Sequence, residues 1–409
     1  IALAAVWAQQ WRYQKAADET FAQAAELYQS LFPGDRATSG LRRQFQARLA
    51  RLGGDGDGGG GTLFRVLPAV ASTLSQSEVE PKRLQFDQRD GSLLLISRYR
   101  DAGDSRTGLA LGPRGRELAI FRSTDNGRTF AKICSWNKSD LYCGSTVLSI
   151  EGSALRINKR RVEVLVSTEK IRTYPKPHTA FQKPGTGIWS IDTFSASRLD
   201  RLNPQDNIRP LIFSTDPAYL HAKDPNLSPG FRRGQQLLLY CGHPFSWSSS
   251  TSGYACLTAT SCDNQDSDFF PRGPAWDVAA ARITCRLPVP RVGAFASLPA
   301  LSLYFYDGAE CLRRLDSHKH SVERPRGYSC EELGGLAYGF DREFPLLHRL
   351  SRLAPLFVSP EGTGCNRYVS ILTEEDGGLF AIWERSTDTH AQPLFGNRLS
   401  VNRLTGILS

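Results

Sequence analysis

Beyond about residue 80 the chain is a succession of short apolar blocks, and this rhythm restricts the fold more than any other feature. The blocks are Arg83–Phe86, Ser92–Ser97, Leu118–Phe121, Ser145–Ile150, Arg161–Val166, Gly187–Ile191 and Arg209–Phe213. They continue as Gln236–Tyr240, Gly253–Leu257, Leu301–Tyr306, Gly335–Gly339, Arg367–Leu372 and Leu379–Trp383. Blocks of this length, bounded by Gly, Pro, Asn and Asp, read as strands, and no amphipathic helical window falls between them. Short strands at regular spacing predict a barrel, a sandwich or a propeller. At roughly 40–60 residues per blade, the roughly 330 residues concerned suggest five or six blades. The expected fold is mainly β, a five- or six-bladed β-propeller with an N-terminal helical segment.

One turn is specified residue by residue. Glu117–Phe121 and Ala131–Cys134 read as strands joined by Arg122–Phe130. Ser123 and Asp125 supply side-chain oxygens for nearby backbone N–H groups. Gly127 takes the positive φ that such a turn requires, and Phe130 returns to the pleat. The stretch resembles the Asp-box, Ser-x-Asp-x-Gly-x-Thr-Phe, of the sialidase-type β-propeller glycoside hydrolases. The resemblance implies a structural role for Ser123, Asp125, Gly127 and Phe130, closing the hairpin between the outer strands of a blade. Ser214–Asp216 and Ser386–Asp388 read as decayed copies that lack the Gly. The Phe/Tyr-Arg-Ile-Pro motif of sialidases does not occur.

Residues 1–32 read as one helix. Ile1–Trp7 is apolar all round but too short to span a bilayer. It reads as the outer end of a truncated transmembrane helix, with Trp7 and Trp11 at the interface. Ala17, Phe21, Ala24, Tyr28 and Leu31 then follow a coiled-coil seam, which Pro33 and Gly34 stop. A second helix starts near Ser39, a Gly-rich linker covers 53–61, and a third short helix spans 62–74. The stretch from Ala24 to Gly34, with Leu41–Phe45, Ala47–Leu49 and Leu63–Phe64, resembles the membrane-proximal periplasmic region of the type II secretion system inner-membrane protein L. That resemblance implies inner-membrane secretion-system partners for residues 1–79 and brings no enzymatic activity. The expected domains are 1–79 and a sialidase-like propeller over 80–409.

The net charge is +9. Such an excess suits an anionic ligand, a sialic or uronic acid, or an acidic envelope surface. It equally suits a solvated basic surface. Nucleic acid is not expected, because no basic run interleaves with aromatics. The nine cysteines show no Cys-x-x-Cys or Cys/His zinc spacing. They predict an oxidising compartment with roughly two to four disulfides, against an alternative of buried reduced thiols. No metal and no cofactor is expected. The location expected is periplasmic or extracellular, with anchoring to the inner membrane through the N-terminal helix.

Propellers bind ligands at the central channel. The loop after Ser97 concentrates Arg98, Asp101, Asp104 and Arg106. Glu151 and Asp224 each stand beside a strand end, the first before Gly152 and the second before Pro225, which fixes an extended backbone. Glycoside hydrolysis needs two carboxylates, one ionised and one kept protonated. Asp101, Asp104, Glu151 and Asp224 are therefore the expected catalytic residues. Arg98, Arg106 and Arg367 suit an anionic sugar, and Tyr368, Trp247 and His243 a sugar ring. Glu331 and Glu332, after Tyr328, resemble the Tyr–Glu nucleophile arrangement of sialidases. The competing readings are solvated loops with local salt bridges, an Asx turn at Asp224 and a core role for His243.

The function expected is an extracytoplasmic carbohydrate-active propeller, a glycoside hydrolase of exo-sialidase-like type. The alternative is a non-catalytic binding or scaffold module on a secretion-type segment. A third reading takes the two halves from separate genes. Convergence of two carboxylates and an Arg at the channel mouth separates the first two.

Overall fold

In a computed structural model the chain divides into two compact units, residues 1–69 and 70–409. The structure describes residues 79–87, 92–99, 115–158, 161–258, 261–310, 332–374, 376–389 and 391–408. The helices expected over 1–74 lie outside these residues.

The described residues form a five-bladed propeller. Blade 1 is β1 (Val79–Asp87), β2 (Ser92–Tyr99), β3 (Glu117–Ser123) and β4 (Ala131–Asn137). Blade 2 is β5 (Val147–Asn158), β6 (Arg161–Lys170), β7 (Ile188–Ala196) and β8 (Arg209–Ile212). Blade 3 is β9 (His221–Pro229), β10 (Gln236–His243), β11 (Thr251–Leu257) and β12 (Cys262–Phe270). Blade 4 is β13 (Ala280–Pro288), β14 (Leu301–Ala309), β15 (Leu333–Phe340) and β16 (His348–Arg349). Blade 5 has three strands, β17 (Asn366–Thr373), β18 (Leu379–Arg385) and β19 (Leu394–Leu399). The innermost strands touch in the order β1, β5, β9, β13, β17 and back to β1, so the ring closes.

A middle strand of a blade is covered on both faces, so its apolar residues run without alternation. Leu93 and Leu95 of β2 turn to blade 5, where Phe380, Ile382 and Leu394 meet them. Leu94 and Ile96 turn to Leu155, Val162, Val164 and Val166 of blade 2. Leu165 and Ile191 pack on Ala222, Leu238 and Tyr240 of blade 3. Leu237 and Leu239 pack on Ile283, Tyr304 and Tyr306 of blade 4. The seam between blades 4 and 5 is filled at one end by Leu287, Leu303, Phe305, Ile371 and Leu379, with Leu404 of a C-terminal helix, Val401–Leu408. Each of the five seams thus has its own apolar cluster. Truncating a buried Leu in any of them costs about 2–5 kcal/mol.

Two innermost strands, β9 and β13, escape the sequence pattern. Their buried residues include His221, Lys223, Asp224, Arg282 and Arg286, so the apolar signal is missing where the strand borders the axis. Glu151 and Asp224 were expected at strand ends. They lie inside β5 and β9 instead, because the strands run on through irregularities in pairing.

The Ser123–Phe130 turn joins β3 to β4. Ser123 Oγ donates to Asp125 Oδ1 at 2.7 Å and accepts from Gly127 N–H at 2.7 Å. Asp125 Oδ1 also accepts from the N–H groups of Arg128 and Thr129, and its Oδ2 accepts from Thr129 Oγ1 at 2.6 Å. These donors hold the Asp125 carboxyl well below the usual range, the Thr129 hydroxyl contributing most. Gly127 has φ +78°, and a Cβ there would lie 2.8 Å from Phe380 Cε1. The turn is therefore pressed onto blade 5, and Phe130 packs in the same seam. The two shorter matches do otherwise. Asp216 caps the short helix Pro217–Tyr219 between blades 2 and 3, and Ser386–Asp388 lies in the β18–β19 connection.

Cys134, Cys143, Cys241, Cys256 and Cys262 are free thiols, and none of the described cysteines forms a disulfide, so the two to four bridges expected from sequence are not found among the described residues. Burial pushes the Cys134, Cys241 and Cys262 thiols up to about 11, so these three sit as small neutral core groups. No helix among the described residues is long and apolar enough to cross a membrane.

Asp125→Ala removes the acceptor of four hydrogen bonds. It is expected to lower the melting temperature and leave ligand affinity within about twofold, since the turn lies on an outer strand pair. Calorimetry and titration of the same preparation check both halves of the statement.

Candidate functional site

Every innermost strand breaks its ladder at least once, β5 also between Val147 and Ser149. The break lies between Pro81 and Arg83 in β1 and between Ile150 and Ser153 in β5. In β9 Asp224 and Pro225 fall between the paired residues Lys223 and Asn226. In β13 the break lies between Ile283 and Cys285, and in β17 between Arg367 and Ser370. A bulge bends the strand and re-aims a side chain. Here it happens in all five blades around one axis. Three bulges carry the residues of interest: Glu151, Asp224 and Tyr368.

The bulges are held from the preceding blade. Ser167 Oγ of blade 2 accepts from Asp224 N–H at 2.8 Å. Asp307 of blade 4 accepts from Tyr368 N–H at 3.1 and 3.2 Å. Asp224 lies directly against Gly152 of blade 2. A Cβ there would come within 2.3 Å of Asp224 Oδ1 and 2.6 Å of its Cα.

Two ion clusters surround these residues. In the first, Glu151 takes Arg98 Nη1 at 3.4 Å on one oxygen and Lys223 Nζ at 2.7 Å on the other. It links blades 1, 2 and 3. Against the cost of burial, Glu151 and Asp224 hold the Lys223 ammonium charged. In the second, Glu332 is gripped by Arg282 and by Arg367 Nη1, the latter at 2.6 Å. Arg367 Nε reaches Glu384 at 2.9 Å, and Arg282 Nη2 stands 3.9 Å from Asp307. This cluster links blades 4 and 5. Burial works to raise Glu332, but Arg282 and Arg367 outweigh it and keep its carboxyl well below the usual range. Asp307 goes the other way. Burial, aided by the Glu332 charge and opposed by Arg282, pushes it up to about 8. Two carboxyls that face the same Arg282 nitrogen are thus separated into an ionised group and one that stays neutral at pH 7.

An aromatic wall stands beside the first cluster. Lys223 Nζ lies 5.5 Å from the ring centres of both Trp189 and Trp247. Trp247 packs at a tilt against His221 at 4.3 Å and His243 at 4.6 Å between ring centres. Trp189 N–H donates to His221 Nδ1 at 3.3 Å, so His221 Nε2 carries the proton and donates to Tyr174 Oη at 3.0 Å. Trp247 Nε1–H donates to the same hydroxyl at 3.3 Å. Burial pushes His221 down to about 3, so the imidazole is a neutral brace. His243 is also buried. Its Nδ1–H donates to Ser249 O at 3.0 Å, and its Nε2 faces the Cys241 thiol at 3.1 Å.

Backbone strain concentrates here. Among the described residues four non-glycines have positive φ: Asn126 in the β3–β4 turn, and Asp224 (57°), Trp247 (55°) and Tyr368 (54°). The last three all belong to the bulges and the aromatic wall. Such conformations cost on the order of 1–3 kcal/mol each and persist where surrounding contacts impose them.

Of the residues expected from sequence, Arg98, Glu151, Asp224, Trp247, Arg367 and Tyr368 are brought to the two ion clusters and the aromatic wall. Arg367 spends its guanidinium on Glu332, Glu384 and Gln392 Oε1. His243 backs Trp247 from inside. Asp101, Asp104, Arg106, Glu331 and Tyr328 lie outside the described residues. Lys223, Arg282, Asp307, Trp189 and Tyr174 were not anticipated. A cation beside Asp224 and an Asp inside an aromatic strand, Tyr304–Asp307, are the signals that sequence offered for them. Among the described residues no group of His, Cys, Asp and Glu is arranged to hold a metal ion.

Comparison with known proteins gives separate results for the two parts of the chain. The model of the GspL transmembrane domain matches residues 1–52. Type II secretion system protein L of Pseudomonas aeruginosa is 36% identical over 88 residues, 21% of this chain and 22% of that protein. The match thus spans less than a quarter of the length of that relative. A thermostable family-43 glycoside hydrolase superposes with TM-score 0.51 at 11% identity, covering 80% of this chain and 92% of the other. An α-L-arabinofuranosidase from Lactobacillus brevis gives 0.50 at 10% identity, over 78% and 89%. At such identity the likeness establishes the fold, and the structural neighbours are propellers of glycoside hydrolases.

Gly152→Ala drives a methyl group into Asp224. It is expected to cost about 1–3 kcal/mol through overpacking and to weaken ligand binding more than a Gly→Ala change at Gly144, where nothing lies within 4 Å of the added Cβ; because Gly144 has φ +68°, that control measures backbone strain alone. Chemical denaturation and titration read the two effects. Asp307 binds a proton in the folded state that the unfolded chain has lost above the ordinary carboxylate range. Stability is therefore expected to fall as pH rises from about 4 to about 8. Asp307→Asn should flatten this part of the profile. A wild-type profile that rises monotonically over the same range would contradict the assignment.

Proposed function

We propose that the propeller is a carbohydrate-active module that takes a glycan at the mouth of its central channel and hydrolyses it. The observation that carries this reading is the coincidence of strain, bulges and opposed carboxyl chemistry in one place. Asp224 and Tyr368 are both bulge residues with positive φ. They adjoin Glu151, Asp307 and Glu332, whose environments differ in charge. Asp224 is the residue assigned to the reacting sugar. Glu151, gripped by Arg98 and Lys223, is assigned to the ionised partner. Trp247 offers a ring face to the sugar. The shared fold with glycoside hydrolases supports the reading as analogy of scaffold.

The narrower form of the proposal is an exo-sialidase-like preference for an anionic sugar. It draws support from the Ser123–Phe130 turn and from Arg98, Arg282 and Arg367 around the channel. Tyr368 speaks against a tyrosine nucleophile, because burial, with Glu332 beside it, keeps its phenol protonated. A second reading, a binding or scaffold module, is favoured by one observation: each of these cations already holds a carboxylate. For residues 1–79 the proposal is inner-membrane association with a secretion system, with the propeller on the extracytoplasmic side and the boundary near residue 80. The GspL-type match supports it.

A panel of chromogenic glycosides, neutral and anionic, tests hydrolysis by the full chain. Asp224→Asn is expected to lose about 10²–10⁴-fold in kcat while the protein stays folded, which circular dichroism of the same preparation checks. Retention of glycan binding with no turnover of any glycoside would leave the binding module as the function.

A further inference from the structure

We propose that an aromatic and basic ridge, leading outward from the channel mouth across the β6–β7 loop, binds the continuing chain of an anionic oligosaccharide. The inference rests on the glycan reading above and adds the length and charge of the ligand. The ridge begins at Trp247. Tyr174 accepts the Trp247 indole N–H and packs, on its other side, in the cluster that holds Phe245. Phe245 meets His178 at 4.1 Å between ring centres and Phe181 at 5.0 Å. Phe181 is 60% exposed. Aromatic rings therefore run without interruption from the strained, braced Trp247 to open surface.

The exposed end is built to stay in place. Gln182, next to Phe181, accepts from Tyr174 N–H at 2.9 Å and donates to the carbonyls of Arg172 and Thr186 at 2.8 and 2.9 Å. One side chain thus ties the start, the middle and the end of the 171–187 loop. A surface Phe whose loop is cross-braced costs little ordering when a partner arrives. Sugar rings present apolar C–H faces that match such a surface. The same loop carries Arg172, Lys176 and Lys183 and no carboxylate. The adjoining 244–250 loop is uncharged. Asp216, in the next connection, spends its carboxylate on Ala218 N–H. The ridge therefore presents stacking surface edged by cations, which suits a chain of acidic sugars over a neutral one.

The test uses the full chain and isothermal titration with galacturonic acid oligomers, from monomer to pentamer, beside neutral xylo-oligosaccharides of the same lengths. Affinity is expected to rise with length for the acidic series. Phe181→Ala should weaken the longer acidic oligomers about tenfold and leave the monomer unchanged. The Lys176→Ala/Lys183→Ala pair should weaken the longer acidic oligomers and reduce their salt dependence. Both positions are exposed, so folding is not at stake. If single-sugar glycosides are turned over but affinity ignores chain length or Phe181→Ala, the ridge is overturned and the channel reading stands. If neutral and acidic series bind alike, the acidic preference fails. If no probe binds and no glycoside is turned over, both proposals fall.

Discussion

Five sheets arranged around an axis bring five polar strand edges together, and the groups placed there have to neutralise one another. This chain does so with Arg98–Glu151–Lys223 across blades 1 to 3 and Arg282–Glu332–Arg367–Glu384 across blades 4 and 5. Burying such charges is expensive, and their mutual attraction offsets the cost only when partners and hydrogen bonds are complete. The apolar seams hold the blades together, while the ion clusters fix how they meet at the axis. Removing one member leaves its partner buried and uncompensated, at a cost of about 3–5 kcal/mol. The seam between blades 4 and 5 shows the division plainly. Its far end is filled by Leu287, Leu379 and Leu404, and its near end by ions.

That same lattice is what allows strain to persist. Asp224 and Tyr368 keep unfavourable backbone angles because their N–H groups are taken by Ser167 and Asp307 of the preceding blade. Gly152 leaves the room that Asp224 occupies. Trp247 is kept by two histidines, Tyr174 and Lys223. Geometry fixed in this way needs no rearrangement when a ligand arrives, which is the property expected of a site assembled on rigid elements.

Much of the fold was legible because a propeller strand covered on both faces writes a continuous apolar run. Leu93–Ile96, Val164–Val166 and Leu237–Tyr240 are such runs, and all lie in second strands of blades. The innermost strands are not, because their residues serve the axis. His221–Pro229 was therefore not among the blocks read as strands, and Ala280–Pro288 was missed. Glu151 and Asp224 were recognisable as carboxylates beside Gly and Pro, the residues that accompany a bulge. Asp307 and Lys223 were not, since nothing in a single chain tells which charged residue will meet which across blades. The Ser123–Phe130 turn was readable because every interaction in it is local.

The opposed behaviour of Asp307 and Glu332 follows from how the guanidinium groups are shared. Arg282 and Arg367 both converge on Glu332, and the Arg282 Nη2 that grips Glu332 stands 3.9 Å from Asp307. One carboxyl is therefore charged at any ordinary pH and the other carries a proton near neutrality. A proton on Asp307 also relieves repulsion with Glu332, so the two states reinforce each other. Asp307 contacts the bulge through Tyr368 N–H, and its ionisation above about pH 8 would strengthen its pull on that backbone group. The placement of Tyr368 at the axis is thus coupled to a titration whose range is set by the neighbouring ion cluster.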